Sequence, residues 1–200
     1  LSRNVQRYFQ DTYGRKTVWI PNGVSKPQLL PAEQIRSKFG LEKDSYILFL
    51  GRLVPEKGVH YLIEAFRNVQ TRKKLVIAGA SSDSAEYVQR LKDLAEGDER
   101  IVFTGFVQGK ELEELYSNAY VYVLPSDLEG MPLSLLEAMS YGNCCVVSDI
   151  PECAEGVEDK GVTFSKGNVA DLKLLIFTTS APSACHRNYG MIAPGNHIDY

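Results

Sequence analysis

The sequence predicts an α/β domain built on a doubly wound parallel sheet, and three observations lead there. Short β-branched and aromatic runs alternate with segments of helical periodicity from Tyr46 to Phe164. Within the runs apolar residues are continuous, as in Tyr46-Ile47-Leu48-Phe49-Leu50, which is the pattern of strands covered on both faces. Two hundred residues, 44% hydrophobic and 24% charged, suffice to bury a substantial core. Strand and helix in regular alternation imply βαβ units, and βαβ units imply parallel strands with helices on both sides.

Taken in order, the first residues read as a polar helix followed by a short strand, Thr17-Val18-Trp19-Ile20, that stops at Pro21-Asn22-Gly23. Ala32 to Phe39 reads as a short helix closed by Gly40, placed where a left-handed C-cap belongs. The Tyr46–Leu50 strand follows. Val59, Leu62, Ile63, Phe66 and Val69 then recur on one face of a helix. Leu75 to Gly79 is the next strand and Ala85 to Leu94 the next helix. Ile101 to Val107 holds a strand and its exit, and Lys110 to Ser117 a helix. Tyr120 to Leu124 is a strand bounded by Pro125, Ser126 and Asp127. A helix begins near Pro132, a strand covers Cys144 to Val147, and a short one covers Val162 to Phe164. The domain is expected to span 23–172, with 1–22 the tail of another domain and its linker. Asp171 to Ile176 could start a helix, but Thr178 to Tyr200 is rich in Pro, Ser, Asn and Gly without periodicity, and 173–200 is expected to be an irregular, poorly ordered tail.

Composition removes several function classes. A net charge of −3 gives no general attraction to nucleic acid or to an anionic membrane, so any phosphate binding must be local. No apolar run approaches the roughly 20 residues of a membrane span. Cys144, Cys145, Cys153 and Cys185 contain no Cys-x-x-Cys, and His60, His186 and His197 are scattered, so no metal site is expected. The opening Leu1-Ser2-Arg3-Asn4 has neither an initiator methionine nor a signal-peptide pattern, which fits a piece of a longer cytoplasmic protein.

In a parallel sheet all strand-to-helix loops leave by one edge. Gly51–Gly58, Gly79–Asp83, Gly105–Gly109 and Pro125–Met131 should therefore line one crevice. Two of these loops carry chemistry. Gly51-Arg52-Leu53-Val54-Pro55-Glu56-Lys57-Gly58 holds two cations between glycines that let backbone approach a ligand. Glu129-Gly130-Met131-Pro132-Leu133-Ser134-Leu135-Leu136-Glu137 packs two carboxylates around a turn and a helix start, where free N–H groups and the helix dipole favour an anion. Bland roles stand beside these. Ser134 and Glu137 have capping-box spacing, Glu129 suits a solvated partner of the helix dipole, and Arg52 and Lys57 suit a surface loop. Neither a Walker loop nor a Gly-x-Gly-x-x-Gly fingerprint is present.

The segment Glu129 to Glu137 resembles the two-glutamate motif of the family-4 glycosyltransferases, retaining enzymes with the two-domain GT-B fold, over roughly Ile20 to Val169. The fold implied is the Rossmann-like donor half of GT-B. By that resemblance Glu129 meets the donor sugar, Glu137 holds the ribose, and the backbone of Gly130, Met131, Pro132 and Leu133 meets sugar hydroxyls and diphosphate. Gly51-Arg52 and Lys57 would bind the diphosphate. Backbone near Gly105-Phe106-Val107 would meet the base, with Val107 equally readable as a plain strand exit. Ile20-Pro21-Asn22-Gly23-Val24 resembles the family's crossing between domains. The substrates implied are a UDP- or GDP-linked sugar and a glycan or lipid-linked acceptor held by the missing N-terminal domain. No cofactor is required, and peripheral membrane association of the full-length protein is allowed. Glu129, Arg52 and Lys57 would carry catalysis, and the chain alone is expected to bind donor without turnover. The rivals are a sugar-nucleotide epimerase or phosphorylase of the same fold and a non-catalytic flavodoxin-like interaction module.

Overall fold

A computed structural model of the chain describes residues 3–81 and 84–179. Six strands form one all-parallel sheet: β1 (Tyr46–Leu50), β2 (Lys74–Ala78), β3 (Ile101–Gly105), β4 (Val121–Leu124), β5 (Cys144–Ser148) and β6 (Val162–Phe164), in the order β3-β2-β1-β4-β5-β6. The helices are α1 (Arg3–Tyr13), α2 (Gln34–Phe39), α3 (Val59–Arg67), α4 (Ala85–Ala95), α5 (Gly109–Asn118), α6 (Leu133–Ser140), α7 (Pro151–Val157) and α8 (Val169–Thr179). The doubly wound architecture expected from the alternation is the one observed.

The apolar runs sit where their continuity requires. Ile47, Leu48, Phe49, Leu75, Val76, Ile77, Val121, Val123, Val146 and Val147 are all fully buried, facing helices on one side or the other. Crossovers between parallel strands are right-handed, and the chain starts mid-sheet at β1, winds out to β3, then returns to β4. The sheet thus has a switch point between β1 and β4, where the loops leaving the two strands diverge. That point is where an open α/β sheet leaves a crevice.

The elements around it are tied by specific groups. α2 ends at Gly40 (φ 61°), whose N–H donates to Arg36 O at 3.0 Å, as the sequence predicts. Its N-terminus is satisfied from another helix: the buried Glu114 carboxylate on α5 accepts from the N–H groups of Glu33 (2.9 Å) and Ile35 (3.1 Å). α8 returns from β6 to pack on α3, burying Leu172 and Ile176 one turn apart.

Three expectations are corrected. Thr17–Ile20 is not a strand: among the described residues no neighbouring strand takes its backbone bonds, and Val18 and Ile20 are exposed. Helix α7 was not foreseen; it starts with Pro151 at its first position and buries Cys153 and Val157 four residues apart, too few repeats to read as a period. Helix α8 runs through 173 to Thr179, so irregular chain does not begin at 173. The remaining expectation for 180–200 lies outside the described residues.

Candidate functional site

Near the β1/β4 switch point, the exits of β1, β2 and β3 bond to one another. Gly51 N–H donates to Ala78 O (3.0 Å), Leu53 N–H to Ala80 O (3.1 Å) and Gly79 N–H to Gly105 O (2.8 Å). Gly79 has φ +142°, and a Cβ there would overlap the Gly51 carbonyl oxygen, so only glycine lets the β2 exit back the β1 loop this closely. Gly58, at φ +64°, faces the Pro125 carbonyl in the same way. Asp127 N–H donates to Glu56 O at 2.8 Å, closing the β1 loop against the β4 loop.

Across that seam Lys57 Nζ donates to Glu129 Oε1 at 2.6 Å, with only 16% of the lysine side chain and 5% of the glutamate exposed. The sequence placed these residues on one sheet edge; the fold brings them into direct contact. Ser126 Oγ donates to the same Glu129 oxygen at 2.7 Å, and Ser148 Oγ donates to Ser126 O at 2.5 Å. Ser126 and Ser148 are both fully buried. Glu129 is therefore a buried, doubly bonded carboxylate and not a solvated partner of the helix dipole. Its charge, after burial itself, helps push the nearby Cys153 thiol up to about 12, which keeps that thiol protonated and unreactive at neutral pH.

Arg52 is exposed and forms no ion pair or hydrogen bond among the described residues, so its guanidinium is available at the rim. Pro132 is the buried N-cap of α6, which begins one residue later than the sequence implied. The first intrahelical bonds run from Leu135 and Leu136 to Pro132 O, leaving the N–H groups of Leu133 and Ser134 ahead of them. Gly130 is exposed. Met131 accepts from Asn22 N–H at its sulfur (3.0 Å) and from Asn22 Nδ2 at its carbonyl oxygen (3.5 Å), which lays the Pro21-Asn22-Gly23 turn against this loop.

Glu137 does not close a capping box. Its Oε2 accepts from the Tyr116 hydroxyl at 2.8 Å, and Ser134 Oγ accepts from the Tyr122 hydroxyl at 2.8 Å, so neither side chain reaches a helix-end N–H. Burial raises both tyrosines well above the ordinary phenol range, with Tyr122 and then Glu137 adding to the effect at Tyr116. Both hydroxyls thus remain donors at any physiological pH. The Tyr122 hydroxyl also lies 3.4 Å from Leu50 O, which sets the first turn of α6 beside the end of β1. Val107 is buried in the core beside the exposed Phe106, so its side chain is structural and only its backbone remains for a ligand.

Ser126, Ser148, Tyr116 and Tyr122 were not found by sequence reasoning. Ser126 looked like loop punctuation after β4, and Tyr116 lies in a helix whose period marks it only as core. Their shared signal is that a buried hydroxyl must have a partner. Among the described residues no group of three or more His, Cys, Asp and Glu is placed to hold a metal ion. No helix among them is long and apolar enough to cross a membrane.

Comparison with known proteins gives a family and a shared fold. The family model described as "Glycosyl transferases group 1" matches residues 31–177. An uncharacterized glycosyltransferase of Methanocaldococcus jannaschii is 42% identical over 118 residues, covering 58% of this chain and 30% of the relative. The O-antigen chain mannosyltransferase B of Escherichia coli is 29% identical over 155 residues, covering 76% of this chain and 39% of the relative. Among solved structures, an Anabaena protein in complex with UDP and glucose superposes with a TM-score of 0.66 at 24% identity, over 72% of this chain and 41% of that one. The chain spans well under half the length of each.

Proposed function

This chain belongs to the group 1 glycosyl transferases, and from that premise we propose that it is the donor-binding domain of a retaining enzyme that transfers a hexose from a UDP- or GDP-linked sugar. The observation that carries the proposal is the Lys57–Glu129 pair at the sheet's switch point, with Arg52, exposed and unpaired among the described residues, on the same loop as Lys57. The likeness to an O-antigen mannosyltransferase favours a hexose, and the fold shared with a protein that holds UDP and glucose favours a nucleotide sugar in this crevice.

The chemistry follows from the charges. When the bond from anomeric carbon to phosphate breaks, negative charge grows on the leaving diphosphate. Arg52 offers a planar fork to that charge, Lys57 a point charge, and the leading N–H groups of α6 a partial positive end. Glu129 accepts from donor-sugar hydroxyls and Glu137 from the ribose. These groups supply the charge stabilisation without a metal. The acceptor, a glycan or lipid-linked sugar, is held by an opposing N-terminal domain, and attack proceeds from the face that the diphosphate leaves. The parent works in the cytoplasm, where nucleotide sugars are its donors.

Titrating the chain with a panel of UDP- and GDP-sugars by calorimetry, and assaying product by mass spectrometry with simple acceptors, tests the proposal. Binding of a nucleotide sugar without steady turnover is the expected outcome, because an open crevice lacks the orientation effect that is worth roughly 7–11 kcal/mol. Failure of a folded sample to bind any nucleoside diphosphate would refute it.

A further inference from the structure

Resting on the ribose role proposed for Glu137, we propose that Tyr116 is a positioning residue that sets the site's preference for a ribonucleoside: its hydroxyl holds one Glu137 oxygen so that the other is presented to a vicinal diol.

The two oxygens of Glu137 are not equivalent. Oε2 accepts from Tyr116 at 2.8 Å, while Oε1 accepts no hydrogen bond within the described residues and is not sealed from solvent. A carboxylate on a three-bond side chain one turn into α6 would ordinarily sample several rotamers, each lowering the fraction aimed at a ligand. Tyr116 removes that freedom, and its own position is fixed on every side. The ring is 2% exposed, stacks on Tyr141 (5.2 Å between centroids, 21° between planes) and lies 6.3 Å from Tyr122. Its carbonyl accepts from Asn143 Nδ2 at 2.9 Å, and its hydroxyl also lies 3.2 Å from Ser134 O. The donor is thus rigid, buried and always protonated.

A ribose presents two adjacent hydroxyls, and a carboxylate oxygen held in one direction can accept from the pair. A 2′-deoxyribose offers one hydroxyl fewer, so a fixed carboxylate discriminates between the sugars where a mobile one adapts. Tyr116→Phe keeps the ring, the stacking and the burial while removing the hydroxyl. It separates positioning from packing.

The test is calorimetry of wild type, Tyr116→Phe and Glu137→Gln with UDP, GDP, their 2′-deoxy counterparts and inorganic pyrophosphate. Wild type is expected to prefer the ribonucleotide of its cognate base. Tyr116→Phe should lower that preference by about three- to tenfold, the equivalent of one ordinary hydrogen bond, with pyrophosphate affinity unchanged. If Tyr116→Phe keeps the full preference, or weakens ribo-, deoxyribonucleotide and pyrophosphate alike, the proposal falls. If wild type binds both sugars equally, the ribose role of Glu137 falls first, and the wild-type rows alone reveal it. Should Tyr116→Phe fail to fold, the hydroxyl proton of Tyr116 in wild type serves instead. Its NMR signal should shift with the ribonucleotide and not with the 2′-deoxy form, and equal shifts with both would overturn the proposal.

Discussion

Replacing Lys57 by Met should destabilise the chain far more than replacing Glu129 by Gln, although each change breaks the same ion pair. The two side chains meet at 2.6 Å with 16% and 5% exposed. At an effective dielectric of about 20 their gross attraction is roughly 6 kcal/mol, most of it offsetting lost hydration. What matters is the partner left behind. Without Lys57, Glu129 keeps its charge in a nearly closed site with one bond from Ser126, a situation that costs about 3–5 kcal/mol. Without the Glu129 charge, Lys57 can turn its ammonium to water on a flexible stem, and the amide oxygen of glutamine still accepts from Ser126; about 1–3 kcal/mol is expected. The double variant should be more stable than Lys57→Met alone, because no buried charge remains. Against a domain stability of about 5–15 kcal/mol these differences are readable by urea denaturation. Two single losses under about 0.5 kcal/mol that simply add would refute the reasoning, since that is how a surface pair behaves.

Further outcomes follow from neighbouring residues. Arg52→Ala should change stability by no more than about 0.5 kcal/mol, since the side chain is exposed and unpaired among the described residues, yet lower nucleotide affinity roughly ten- to a hundredfold in calorimetry. Gly79→Ala should cost about 1–3 kcal/mol or more in denaturation, because φ +142° strains any side chain and the Cβ meets the Gly51 carbonyl; it should also weaken nucleotide binding by displacing the β1 loop. His60, bonded to the Tyr87 hydroxyl at 2.8 Å, has its pKa lowered first by burial and then by Arg90, with Glu64 and Asp127 pulling the other way. Its folded pKa lies below the unfolded one, so the unfolded chain binds more protons between them. The His60 contribution is then present above about pH 6.5 and lost as pH falls through the folded value. Thermal melts from pH 7.5 to 5 should show a smaller decline in His60→Gln; an unchanged slope would contradict this.

The fold was legible because the signals that determine it are local. Tyr46–Leu50 and Val162–Phe164 coincide with strands β1 and β6, and Gly40 caps α2 as its place in the chain implied. Which loops adjoin was not legible, since strand order depends on crossover paths and no residue in Gly51–Gly58 records that β4 lies beside β1. The choice between roles for Glu129 and Glu137 was open for the same reason. Ser134 and Glu137 satisfy the capping-box spacing, and only the arrival of Tyr116 and Tyr122 from α5 and β4 takes both side chains away from the helix end. Thr17–Ile20 shows the converse: β propensity without a neighbouring strand yields irregular chain.

Backbone NMR of the isotopically labelled chain, titrated with UDP and GDP, tests the central claim most directly because it locates the ligand. Perturbations should concentrate at Gly51–Gly58, Gly105–Val107 and Glu129–Glu137, on the edge where the β1 and β4 loops meet. Binding that instead perturbs the opposite edge of the sheet, around Asp44, Lys73 and Arg100, and leaves the Lys57–Glu129 loops unmoved would contradict the account.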